Sequence, residues 1–214
     1  MAHDNASSVA GMAIRVTRLD ASGNLVVGPS ASYVTKKFVS LGFTPEYETG
    51  DEFTTKAADG SVCVTWKAPD TLKRVTLSIA LCDPDPEFTE MISGGTLLSA
   101  GGKSVGYKAP LVGVDATPNG VAIEVWSIAN VNGRQAAVNP YWHWVFPYAQ
   151  MHQAGERAIQ NDLLATSFEG WGVGNVGFGD GPAAPTWPFA ADAPVAYART
   201  TSIPVGTGYQ TVTA

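Results

Sequence analysis

Apolar and polar positions alternate with a period of two along most of this chain. From Val75 to Leu81 every second residue is apolar (Val75, Leu77, Ile79, Leu81), with Arg74, Thr76, Ser78 and Ala80 between them. That is the signature of a strand with one buried face. Met12, Ile14 and Val16 repeat the pattern, as do Val62, Val64 and Trp66, and Val121, Ile123 and Val125. Further strands are expected over Leu25–Val27, Tyr33–Phe43, 158–168 and 195–203. The run YWHWVFPY, residues 141–148, is aromatic on both faces and predicts a strand covered on both sides.

The period changes once. Asp83-Pro84-Asp85-Pro86 stops the 75–81 strand, because residues before proline are pushed out of the helical region. Asp85 is placed to cap a helix over Pro86–Ser93, with Pro86 at its first position and Glu87 in its first turn. Phe88, Met91 and Ile92 make its apolar face, and Gly94-Gly95 ends it. A helix this short must dock on a sheet to persist.

The chain has 214 residues, with 23 glycines, 14 prolines and 15% charged residues. With short alternating runs, this predicts a mainly β fold, a β-sandwich or barrel with one short flanking helix, as a single domain. Residues 1–11 are small and polar and predict a flexible arm, and 169–194 predicts a long Gly/Pro/aromatic loop. The Pro69-Asp70 turn predicts a hairpin between residues 61–68 and the 75–81 strand, with Val64 opposite Val75. In that register Cys63 and Cys82 lie roughly 20 Å apart, too far for a disulfide, so two free thiols are expected.

Formal net charge is −6 and no Lys/Arg cluster exceeds two residues, which argues against affinity-driven nucleic-acid binding. No basic and apolar leader opens the chain, and no apolar run approaches a membrane span, so a soluble protein made in a cytoplasm is expected. Gly101-Gly102-Lys103-Ser104 resembles part of a phosphate loop, but the required first glycine is replaced by Leu97. His143 stands between two tryptophans and reads as a hydrogen-bonded core or interface residue. Asp83 and Asp85 read as corner and cap. With no nucleophile elbow and no metal-ligand spacing, no enzyme activity, metal or cofactor is expected.

Glu46, Glu48, Asp51 and Glu52 form an acidic segment, with Tyr47 and Phe53 interleaved. It fits a solvated edge strand protected by charge, or a negatively charged surface with a function. Six tryptophans and the aromatic loop suit a surface covered by other copies of the chain. Candidate inter-subunit contacts are Tyr141, Trp142, Trp144, Phe146, Trp171, Phe178, Trp187 and Phe189.

VTLSIALCDPDPEFTEMISGG, YWHWVFPYAQM and FEGWGVGNVGFGDGP together resemble the major tail proteins of bacteriophages with long, non-contractile tails that infect actinobacteria. The likeness runs from about Met12 to Thr200. It implies a tail-tube β-sandwich whose subunits form hexameric rings, joined into a continuous inner β-barrel and stacked as a tube. Implied partners are further copies of the chain and the tape-measure, tail-terminator and distal tail proteins, with genomic DNA only in transit and no membrane. The implied location is the virion tail, after assembly in the host cytoplasm. Long loops at 1–11, 31–55 and 169–194 would bridge subunits and rings. A conduit should not grip phosphate, so Glu46, Glu48, Asp51 and Glu52 are candidate lumen-lining residues. A carbohydrate-binding β-sandwich is the alternative from another class, and an enzyme on a jelly-roll fold is a third.

Overall fold

The computed structural model describes residues 5–155, 166–182 and 193–213. The fold is mainly β, with antiparallel sheets and, among the described residues, one short α-helix. In chain order, β1 is Ser7–Arg18, β2 Gly28–Thr35, β3 Phe38–Glu48, β4 Glu52–Lys56, β5 Val62–Lys67 and β6 Thr71–Leu81. The helix α1, Pro86–Ser93, follows. Then come β7 (Thr96–Ala100), β8 (Lys103–Lys108), β9 (Val121–Val131), β10 (Arg134–Gln135) and β11 (Tyr141–Ala154). The last strands are β12 (Thr166–Val173), β13 (Ala196–Thr200) and β14 (Gly208–Val212).

The main sheet runs β14-β2-β1-β9-β11-β12-β6-β3, with β10 beside β9 and β13 beside β11. Its inner face carries the core. Val75, Leu77, Ile79 and Leu81 of β6 are buried there with Ile14 and Val16, Ile123 and Val125, Phe146 and Phe168. The helix seats Phe88, Met91 and Ile92 on the same core. Its cap is as the sequence predicts: the Phe88 N–H donates to Asp85 Oδ1 at 3.0 Å, and Gly94 closes the last turn at φ 70°. The Tyr33 hydroxyl also lies 2.9 Å from the Asp85 carboxylate and 3.2 Å from Glu87, so β2 anchors the corner. Burial, together with those two carboxylates, pushes the Tyr33 pKa well up. Asp83, the other corner residue, pairs with Lys37 at 2.9 Å.

Several expectations are corrected. β5 does not pair with β6. It pairs with β4, with Trp66 opposite Phe53 and Val64 opposite Thr55, while β6 lies between β3 and β12. β3 and β6 are aligned from Phe38 opposite Leu81 to Glu48 opposite Thr71, so β3–β4 and β5–β6 are two legs of one long hairpin. The physical reason is length. Two strands of eleven residues form a longer hydrogen-bonded ladder together than β6 could with six-residue β5. At Pro69-Asp70 the chain crosses between the two sheets instead of turning back. There the Ala68 N–H donates to the Asp51 carbonyl at 2.8 Å and the Gly50 N–H to Asp70 Oδ1 at 3.1 Å. Both cysteines are free, as expected, but because they sit beyond opposite ends of β6, more than about 30 Å apart at the strand rise.

The polar start of the chain is not an arm throughout: Ser7–Gly11 lies in β1 against β9, with two register shifts. Residues 31–55 hold β2, β3 and β4 instead of long loops, and Tyr33–Phe43 is two strands broken at Lys36-Lys37. Leu25–Val27 contributes a single bridge, Leu19 to Leu25. The run 169–194 begins as strand, because β12 extends to Val173, and a 3-10 turn follows at Val176–Phe178. The strand expected over 158–168 lies largely outside the described residues. Lys103 and Ser104 of the Gly-Lys-Ser triplet open β8, after a hairpin turn in which Gly101 and Gly102 take φ of 60° and 76°. The expected polar tail contains β14.

Candidate assembly surfaces

The β4–β5 ribbon is exposed along its whole length. Its alternation predicts one buried face, yet that face meets water: Phe53, Val62, Val64 and Trp66 are each more than half exposed. The Phe53 and Trp66 rings stack at 6.0 Å. A two-stranded ribbon is marginal in water by itself, and an apolar face of this kind marks a contact surface.

The acidic segment forms the root of this ribbon. Glu46 pairs with Arg74 at 2.6 Å and lies 4.0 Å from Lys73. The hydrogen bond from Arg74 is the main cause holding the Glu46 pKa below the ordinary carboxylate value. Glu52 stands opposite Lys67, which pairs with Asp70 at 3.2 Å. Glu48, Asp51 and Glu52 are exposed. Three of the four carboxylates therefore face solvent in a single subunit while Glu46 is half-buried against cations, and the surface is a mixed one, not a uniformly negative wall.

A second surface was not legible in the sequence. The N-terminal half of β1 and the start of β3 enclose an apolar groove of about 290 Å³, lined by Val9, Phe38, Val39, Leu41, Phe43 and Trp144. Register shifts interrupt both strands here, and Ala10 takes a positive φ of 49°. Gly11 lets the Phe38 ring pack against the β1 backbone, since a Cβ there would lie 2.3 Å from that ring and force it to move. Bulges and left-handed non-glycine residues concentrate where a strand is shaped for a purpose. That glycine in an otherwise featureless start was the only sequence signal.

The aromatic candidates separate into three groups. Trp142 and Trp144 are half-buried and cluster with Tyr197, the rings of Trp144 and Tyr197 stacking at 4.6 Å. Tyr141 and Trp171 are also half-buried, and Trp171 lies 5.8 Å from Tyr148. Phe146 and Phe178 are corrections: both are buried within the subunit, Phe146 in the main core and Phe178 against Leu19, Ala122 and Val145. The strand alternation aims Phe146 inward, and the 3-10 turn folds Phe178 back onto the outer side of the sheet. Trp187 and Phe189 lie outside the described residues. Within the aromatic strand 141–148, His143, Val145, Phe146 and Pro147 are buried, and the other four residues are half-buried.

His143 belongs to a buried network. Its Nε2 lies 3.0 Å from Glu124 Oε1, and the other Glu124 oxygen accepts from Arg15 Nε at 2.7 Å. Trp126 stacks on the imidazole at 4.5 Å, and the Arg15 guanidinium lies 5.3 Å from the centre of the Trp126 ring. Burial works to raise the Glu124 pKa, but Arg15 and His143 outweigh it and hold the carboxyl below its ordinary value. The network clamps β1, β9 and β11 together. It is hydrogen-bonded core, as expected for His143.

Among the described residues no group of three or more His, Cys, Asp or Glu is placed to hold a metal ion, and no helix is long and apolar enough to cross a membrane. No protein-family model matches the chain, and no curated protein matches it either.

Proposed function

We propose that this chain is a structural subunit that polymerises with itself, in the manner of the bacteriophage tail tubes its sequence resembles. The reading is supported above all by the positions of the ribbon and the groove. They lie at opposite ends of one edge strand: the groove flanks Phe38–Phe43, and the ribbon begins beyond Glu48. From Leu41 to Phe53 the chain spans roughly 40 Å at the strand rise, so a subunit's ribbon is out of reach of its own groove. A second copy's ribbon is not. A contact between two unlike patches on identical chains is heterologous and propagates, as a closed ring or an open stack.

In this reading the ribbon of one subunit covers the apolar groove of the next along the tube. The open outer edges of β3 and β14 offer backbone groups to neighbours in the same ring. Genomic DNA would pass through the lumen without being held, in keeping with the acidic balance of the chain. Hexameric rings and the tape-measure, terminator and distal partners come with the resemblance.

Sedimentation velocity over a concentration series tests it. Wild type should form fast-sedimenting polymers as concentration rises. Phe53→Ser with Trp66→Ser should stay monomeric with an unchanged melting temperature, because neither ring is buried in the subunit. Equal polymerisation of the double variant would remove the ribbon from the assembly contact, and a monomeric wild type at every concentration would remove the assembly reading.

A further inference from the structure

The sheet's outer face carries a depression of about 610 Å³ over β3, β6, β12 and the end of β11. The pairing registers build it. Thr44 lies opposite Thr76, and Gly42 opposite Ser78, so the floor is hydroxyl-lined and low. Trp171 stands opposite Thr76 and Glu169 opposite Ser78, so one wall is aromatic at one end and acidic at the other. Arg74 and His152 complete the rim. The floor is kept low by Gly42, where a Cβ would come within 2.8 Å of the Ser78 hydroxyl oxygen.

We propose that this depression binds a neutral oligosaccharide. The Arg74 guanidinium on its rim is already paired with Glu46 at 2.6 Å, and the His152 imidazole lies 3.4 Å from Glu169. No free cation is left among them to favour a phosphate or carboxylate ligand over an uncharged one. What the rim offers is a mixture of an indole face, hydroxyls, a carboxylate and an imidazole. That combination suits a ring with an apolar C–H face for stacking and hydroxyl groups at its edge. Trp171 supplies the stacking surface. The Ser78 hydroxyl and the Glu169 carboxylate supply edge contacts. The site is distinct from the ribbon and the groove, and it stands or falls independently of self-assembly.

Titration with cellotriose, maltotriose and chitotriose, read by tryptophan fluorescence and by saturation-transfer NMR, tests the proposal. At least one should bind saturably, with a Kd of about 0.1–10 mM, the range of a small open site. Trp171→Ala should weaken it by more than about tenfold. Thr44→Arg, which fills the depression and leaves the tryptophan in place, should abolish it, with circular dichroism confirming the fold of both variants. Absence of saturable binding to all three sugars overturns the proposal. Binding that survives both substitutions also overturns it, because the sugar then sits elsewhere.

Discussion

Replacing Glu124 with glutamine should be among the most damaging conservative changes in this protein. Glu124 is 1% exposed, and its two oxygens hold Arg15 at 2.5–2.7 Å and His143 at 3.0 Å. A glutamine of the same shape keeps one acceptor, loses the charge, and leaves the Arg15 guanidinium buried opposite a neutral amide. Removing one partner of a buried ion pair costs about 3–5 kcal/mol, most of it from the uncompensated charge. For a chain of this size each kcal/mol lowers Tm by about 2–4 °C, so a loss of roughly 6–20 °C is expected. The partner experiment is Arg15→Met with Glu124→Met, which removes both charges and keeps the volume. It should cost less than Glu124→Gln alone. Calorimetry on the monomer reads both. A loss under about 1 kcal/mol for Glu124→Gln, or a double variant worse than the single, would refute the claim that this network clamps β1, β9 and β11.

Acid should act through the same carboxyl. Its folded pKa lies below its ordinary value, so its stabilisation is complete above that value and is lost as pH falls through the folded pKa. Denaturant melts should therefore show the gap between wild type and Glu124→Gln narrowing as pH drops from about 6 to about 3, and a constant gap contradicts this. Asp85→Gly with Pro86→Gly should cost about 2–3 kcal/mol in urea melts, from the lost cap, the added chain entropy and the stranded Tyr33 hydroxyl. Phe178→Ala should cost about 3–5 kcal/mol, as a core truncation does, and near-neutral melts would return Phe178 to the surface.

The strand–corner–helix unit from Val75 to Gly95 was legible because each of its signals is local. Alternation, the prolines, the cap and the closing glycines all act within a few residues. Pairing was less legible, since β5 and β6 both alternate and are joined by a plausible turn. Which neighbour each strand takes depends on the total length of ladder that can be matched, a property of the whole sheet. Phe178 shows the same limit: a phenylalanine in a glycine-rich stretch reads as exposed until the 3-10 turn that folds it inward is known. The groove was invisible for a third reason. It is made by bulges in β1 and β3, which shift side chains by one position without altering the apparent period. Glu48, Asp51 and Glu52 of the acidic segment are exposed, but Lys73 and Arg74, from the opposite leg of the hairpin, pair with Glu46 and neutralise the segment in part.

The most direct test of self-assembly is electron microscopy of the purified, concentrated chain. Hollow rods with a central channel are expected, with an axial repeat of roughly 40 Å set by the offset between groove and ribbon along β3. Dispersed particles at every concentration, or solid filaments without a channel, would contradict the account.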